Sequence, residues 1–209
     1  MSDLPLTKIL DPADYDQLKA ELKVVDRYFD PATQHTHRRW EYAMALRALS
    51  VWAVGRTGKA VIADVGGAGS TFVEMLPTAW TGLMIDPKTG LSVEETAQNT
   101  QQPYYDAVIS ISTFEHTTRP LAFLDACNHI LKPGGLLFLT FDYAVDYTGR
   151  DDYHFHWMRE RIIHSDAWTH LYQVLKTFHG YALFGACSWE EHEPAVYGYT
   201  FASLCLRKP

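Results

Sequence analysis

"VIADVGGAGSTF", residues 61–72, runs from aliphatic and β-branched residues into an acid and then three glycines within four positions. The apolar start reads as a buried strand, and the glycines after it permit backbone conformations and a close ligand approach that a Cβ would block. A turn of this kind at a strand's carboxyl end serves a dinucleotide's pyrophosphate, a nucleoside triphosphate or an adenosine attached to an amino acid. The dinucleotide frame G-x-G-x-x-G fails in both registers. Started at Gly67 it meets Phe72 in the third place, and started at Gly66 it meets Ala68 and Thr71.

Outward from this stretch the chain alternates strand and helix patterns. Residues 70–76 read as a short helix stopped by Pro77, "WTGLMID" as a strand ending in Asp86, and "YDAVISIS" as a further strand. In "TTRPLAFLDACNHILKPGG" Thr118 is the expected cap, Pro120 lies in the first turn, and Leu121, Leu124, Ile130 and Leu131 form the apolar face of a helix. "LLFLTF" follows as a strand. Strands apolar on both faces and separated by helices predict an α/β fold, a doubly wound and mostly parallel sheet covered on both sides. Toward the carboxyl end, residues 157–178 read as a long helix, and "YALFGACSW" and "YGYTFASLCL" as two strands. The loop between those strands is too short for a crossover helix, so they are expected to be antiparallel. Residues 1–30 read as a short helix with loops. Over residues 33–54 Trp40, Ala43, Met44, Leu46 and Leu49 recur at helical spacing, so one face of that helix is buried. The expected division is an amino-terminal helical cap over 1–54 and the main domain over 55–209.

A chain of 209 residues with 47% hydrophobic composition supports one compact unit. The formal net charge of -7, with Arg38-Arg39 as the only dense basic spot, argues against nucleic acid as a partner. The apolar runs are strand-length, which argues against a membrane. The three cysteines are far apart and suit neither a disulfide framework nor a metal knuckle, and with no targeting pattern the expected compartment is the cytoplasm.

Four stretches, "VIADVGGAGS", "GLMIDPK", "YDAVISISTFEHT" and "ILKPGGLLFLTF", stand in an order and at spacings that resemble the class I S-adenosylmethionine-dependent methyltransferases, in particular those acting on small molecules. The resemblance spans roughly residues 40–206. It implies a seven-stranded Rossmann-like sheet with an antiparallel last strand and S-adenosyl-L-methionine as cofactor. It places Gly66, Gly67 and Gly69 against the cofactor and Asp64 near its amino acid portion. Asp86, 17 residues beyond Gly69, stands where an acid accepts hydrogen bonds from both ribose hydroxyls; otherwise it is a turn former before Pro87. Between Asp86 and Asp106 the chain is shorter than the family pattern. Ser92 and Glu95 can form a capping box that opens a helix "VEETAQN", or residues 90–94 can be a shortened third strand. The second parse is preferred and puts Glu94 or Glu95 near the adenine. Ser112, Thr113 and Phe114 are expected beside the cofactor.

His116 follows the fourth strand of the pattern. It serves either as a general base near the methyl acceptor or as an ordering element of the loop. His154 and His156 are further candidates for proton transfer. Together with His35 and His37 they make two His-x-His pairs that fit a metal if Asp142 or Asp152 joins them, but no metal is expected. The preferred reading has the amino-terminal helix and residues 142–161 covering the site, with His35, Arg38, Asp142, Tyr143 and Arg159 offered to a small polar acceptor. The implied reaction is methyl transfer from the sulfonium to an oxygen or nitrogen. The rival readings are a non-catalytic protein that binds the same cofactor and an NAD-dependent oxidoreductase.

Overall fold

In the computed structural model, which describes residues 4–32, 34, 36–143, 167–188 and 200–209, successive residues of each central strand face two separate cores. Strand β2 (Val61–Val65) sends Ala63 and Val65 to one core and Ile62 to the other. Strand β4 (Tyr105–Ser110) divides Val108 from Ala107 and Ile109 in the same way, and β5 (Leu131–Tyr143) divides Leu137, Leu139 and Phe141 from Leu136 and Phe138. The side-chain period of two, with both faces apolar, is what commits these strands to the middle of the fold.

Among the described residues the sheet has eight strands. β3 (Thr81–Ile85), β2, β4 and β5 lie side by side in parallel, and β8 (Thr200–Arg207) runs antiparallel to β5 from the pair Leu136 and Arg207 to the pair Tyr143 and Thr200. Beyond β8 lie β1 (Thr7–Ile9), antiparallel to it, and then β7 (Cys187–Ser188). The two-residue β6 (Ala182–Leu183) pairs with β8 near Arg207. The mostly parallel sheet and the antiparallel last strand agree with expectation; β1 is drawn from residues expected to be helix and loop.

Helices cover both faces. α1 (Asp14–Gln17), α2 (Lys19–Val25) and α3 (Arg38–Trp52) belong to one core, and Trp40, Ala43, Met44, Leu46 and Leu49 are all buried there. α4 (Val93–Asn99), α5 (Pro120–Ile130) and α6 (Ala167–His179) pack on the other. Residues 157–166 of the expected tail helix lie outside the described residues. No described helix is long and apolar enough to cross a membrane.

Four local expectations are corrected. Residues 90–94 are not a third strand: Ser92 Oγ accepts from the Glu95 amide at 3.2 Å and Glu95 Oε2 accepts from the Ser92 amide at 2.8 Å, so the capping box opens α4. Only a 3-10 turn, Phe72–Met75, forms before Pro77. Thr118 does not cap α5. Arg119 holds that position without a side-chain bond to the helix, while Pro120 opens the first turn as expected. Leu121 is exposed rather than part of the buried face, and Leu131 already begins β5.

β1 is fixed to the helical layer by a buried ion pair between Lys8 and Asp14, and Asp14 Oδ2 also accepts from Trp40 Nε1 at 2.9 Å. Removing one member of such a pair leaves an uncompensated buried charge. Asp14→Ala should therefore lower unfolding stability by about 3 kcal/mol, read as a lower midpoint in urea.

Candidate functional site

β2 and β4 are neighbours with Asp64 beside Ile109, so the loops that leave their carboxyl ends meet. Gly66 has φ +83°, and a Cβ built on it would stand 2.1 Å from Thr113 Oγ1. A Cβ on Gly67 would stand 2.5 Å from Asp64 Oδ2. Gly69, at φ +81°, faces open space. The two loops border a cleft of ≈ 730 Å³. The Asp64 to Ser70 turn, Asp86, residues 92–94 before and within α4, residues 111–113, His116 and, from α3, Arg38 and Tyr42 line it.

Asp64 is buried, and its Oδ2 has no hydrogen-bond partner. Burial pushes its carboxyl up to about 6, against the Ser70 hydroxyl and the Arg38 charge, which favour ionisation. An unpartnered buried acceptor at the wall of a cleft fits a cationic donor from a ligand. Asp86 is both turn former and oriented acceptor: Oδ1 accepts from the Lys88 amide at 2.8 Å and Oδ2 from the Ala68 amide at 3.1 Å. The lone pairs left over suit a diol. These observations fit the adenosyl amino acid that the family resemblance implies.

The other candidates divide. Glu94 lines the cleft; Glu95 points to solvent, and the Ser92 amide and hydroxyl hold its carboxyl below the usual range. Ser112 and Thr113 line the cleft, whereas Phe114 is buried in the core against Phe123 and Phe141, with ring centroids 5.7 and 6.4 Å away. His116 is exposed at the cleft wall. Asp142 and Tyr143 end β5 and are not among the cleft-lining residues. His35, His154, His156 and Arg159 lie outside the described residues. Among the described residues no three His, Cys, Asp or Glu side chains gather as metal ligands would.

Behind the cleft wall the expected Arg38 and Asp142 join a charged group with Glu41 and Glu115, two acids that residue patterns did not single out. Arg38 Nη1 donates to the Ile111 carbonyl at 3.2 Å and pairs with Glu41 at 3.5 Å. Burial works against the Arg38 charge, yet Glu41, Tyr42, Glu115 and Asp142 hold its pKa above the ordinary value. Glu115 is fully buried with neither carboxyl oxygen hydrogen-bonded; burial, reinforced by Asp142, pushes it well above the usual range. Burial and the Glu41 charge push Asp142 up to about 7, with Arg38 opposing. Tyr42 adds a hydroxyl bond to Ser70 Oγ at 3.3 Å and stacks on Phe72, tying α3 to the glycine turn. The available sequence signal was Glu41 itself, an acid directly after Trp40 in an apolar helix.

A family model described as a methyltransferase domain matches residues 32–181. A ubiquinone biosynthesis O-methyltransferase of Dinoroseobacter shibae is 32% identical over 84 residues, 40% of this chain and 33% of the relative. One from Xanthomonas campestris is 48% identical over 49 residues, 23% of this chain and 20% of that protein. The matched stretch thus spans a third or less of these curated relatives. In fold, the chain is similar to the plantazolicin methyltransferase BamL, with TM-score 0.56 at 12% identity over 94% of this chain and 96% of that one. It is also similar to the 1,6-didemethyltoxoflavin-N1-methyltransferase of Burkholderia thailandensis, with TM-score 0.53 at 13% identity over 96% and 91%.

Gly66 and Gly69 share a left-handed backbone, but only Gly66 also lacks room for a methyl group. Gly66→Ala should therefore cost more stability than Gly69→Ala. The excess should be at least ~1 kcal/mol, the scale of an overpacked contact, measured as the difference between the two unfolding midpoints.

Proposed function

Because the chain belongs to the S-adenosylmethionine-dependent methyltransferases of class I fold, we propose that it moves a methyl group from S-adenosylmethionine to an oxygen or nitrogen of a small polar molecule. The observation that carries this reading is the pair of acids facing one cleft from the ends of adjacent strands. Asp64 offers a buried unpartnered oxygen, and Asp86 offers a carboxylate already oriented by two amides. Asp64 takes the ammonium of the cofactor's amino acid portion and Asp86 the ribose hydroxyls. Gly66, Gly67 and Gly69 let the main chain approach, and Ser112 and Thr113 form the opposite wall. Glu94, at the start of α4, stands on the adenine side.

The bound cofactor supplies an activated methyl group on a sulfonium. The protein's task is then to hold acceptor and methyl in line and to exclude water, which supplies most of the rate. With the cofactor held by Asp64 and Asp86, its sulfur would keep the electron pair of the broken carbon–sulfur bond, so the cleft residues would need only to aim the acceptor's lone pair at the methyl carbon. For a hydroxyl acceptor the proton goes to His116, which stands exposed at the cleft wall. α3 acts as part of the covering segment, since its Arg38 and Tyr42 reach the cleft. The O-methyltransferase relatives and the N1-methyltransferase neighbour support both acceptor types without choosing between them.

S-adenosylhomocysteine should raise the melting temperature, and NAD should not, because only a ligand that binds the native state stabilises it. Asp86→Ala should weaken S-adenosylhomocysteine binding by at least about tenfold in calorimetry, the scale of one charge-assisted hydrogen bond. A shift with NAD alone would replace this reading with the oxidoreductase. Cofactor affinity should also depend on pH through Asp64. Its carboxyl must be ionised to pair with an ammonium, and burial raises its value to about 6. Affinity is then full above that value and falls by about tenfold per pH unit below it, a profile that Asp64→Asn should flatten.

A further inference from the structure

Among the described residues Ser112 is the one non-glycine residue with a positive φ, +42°. It stands in the turn by which the chain leaves β4 and meets the glycine loop. A serine held there is strained, and such a residue persists only where its surroundings over-determine it. The surroundings of Ser112 come from two distant parts of the chain. Its hydroxyl donates to Glu41 Oε1 at 2.5 Å, and its amide reaches Thr140 Oγ1 at 3.1 Å and the Thr140 carbonyl at 3.2 Å. Thr140 Oγ1 in turn donates to the same Glu41 oxygen at 2.5 Å. Glu41 is fully buried on α3, so one carboxylate oxygen gathers two hydroxyls, one from the turn after β4 and one from within β5. Arg38, one turn earlier on α3, faces Glu41 Oε2 and holds the carbonyl of Ile111, the residue before Ser112.

We propose that Glu41 is a positioning residue for the cofactor cleft: by gripping Ser112 and Thr140 together it keeps the turn after β4 in its left-handed conformation and so sets Thr113 against Gly66. The inference rests on reading the cleft as the S-adenosylmethionine site. The side chain of Thr113 occupies the space a Cβ on Gly66 would need, so a relaxed Ser112 would carry Thr113 with it and change the width of the cleft. Glycine at position 112 would adopt the same φ without a tether. Serine pays strain there, and its hydroxyl is the handle by which α3 controls the turn. The amino-terminal helix is on this account part of the cofactor site, although Glu41 itself is not among the residues that line the cleft.

The test is a cycle of Glu41→Ala, Ser112→Gly and the double variant, with Glu41→Gln beside them, each measured for S-adenosylhomocysteine affinity and for unfolding midpoint. Glu41→Ala should weaken binding about tenfold, the scale of one strained backbone conformer. Adding Ser112→Gly should recover most of that loss, because the turn no longer needs holding. Glu41→Gln keeps an acceptor oxygen for both hydroxyls and should bind more tightly than Glu41→Ala. In the midpoints, Ser112→Gly should stabilise the Glu41→Ala protein relative to its effect on the parent. A double variant no tighter and no more stable than Glu41→Ala would overturn the proposal, as would a Glu41→Gln as weak as the alanine. Absence of binding by the parent protein would instead remove the cofactor reading, and the grip on Ser112 would then be decided by the midpoints alone.

Discussion

There is no room for a methyl group between Gly66 and Thr113. That contact follows from the pairing of β2 with β4, which brings Asp64 level with Ile109 and sends both chains out of the sheet a few residues later at the same edge. Two loops leaving adjacent parallel strands turn away from each other or interlock, and here they interlock. The glycine turn yields by having no side chain, and the turn after β4 yields by placing Ser112 at positive φ. The contact fixes one wall of the cleft. On either side of it the chain supplies acids, Asp64 and Asp86 toward the glycine turn and Glu41, Glu115 and Asp142 behind the turn after β4.

Those acids are costly to bury. The glycine-turn pair is satisfied only in part: Asp86 has two amide donors, whereas Asp64 keeps one oxygen bare. On the other side, Arg38 pairs with Glu41, while burial makes Glu115 and Asp142 hold protons more tightly against the pull of the Arg38 charge. A protein that needed only stability would replace such a group with apolar side chains. Its retention next to the cleft is what a site for polar chemistry requires.

What could be read from residue types and what could not divides along sequence distance. The strands were legible because both faces of β2, β4 and β5 are apolar, and the glycine turn because its residues answer a local backbone demand. Ser92 and Glu95 were legible too, as a capping box; the preference for a strand over residues 90–94 came from matching a family length, and the local hydrogen bonds won. β1 was missed because a three-residue strand between Pro5 and Pro12 carries no period to read, and its pairing with Ser203 and Ala202 lies near the other end of the chain. The partners of Glu41 were illegible for the same reason: Ser112 and Thr140 are 71 and 99 residues away. Phe114 sits between cleft-lining residues, but its ring packs on a larger apolar surface with Phe123 and Phe141.

The missing third strand has a structural consequence at the cleft. Among the described residues no strand pairs beyond β3, which forms the edge of the sheet, and Leu83 and Met84 remain partly exposed there. The side of the cleft next to Asp86 must then be closed by something other than a strand and its loop. The capping box does this: by fixing the first turn of α4 it brings Ser92, Val93 and Glu94 to the cleft, while Val93 anchors the helix in the core beneath. In this chain the interval between Asp86 and Asp106 is too short for a helix, a strand and a return. A helix start whose amide donors are satisfied by its own Ser92 and Glu95 walls the cleft in the fewest residues.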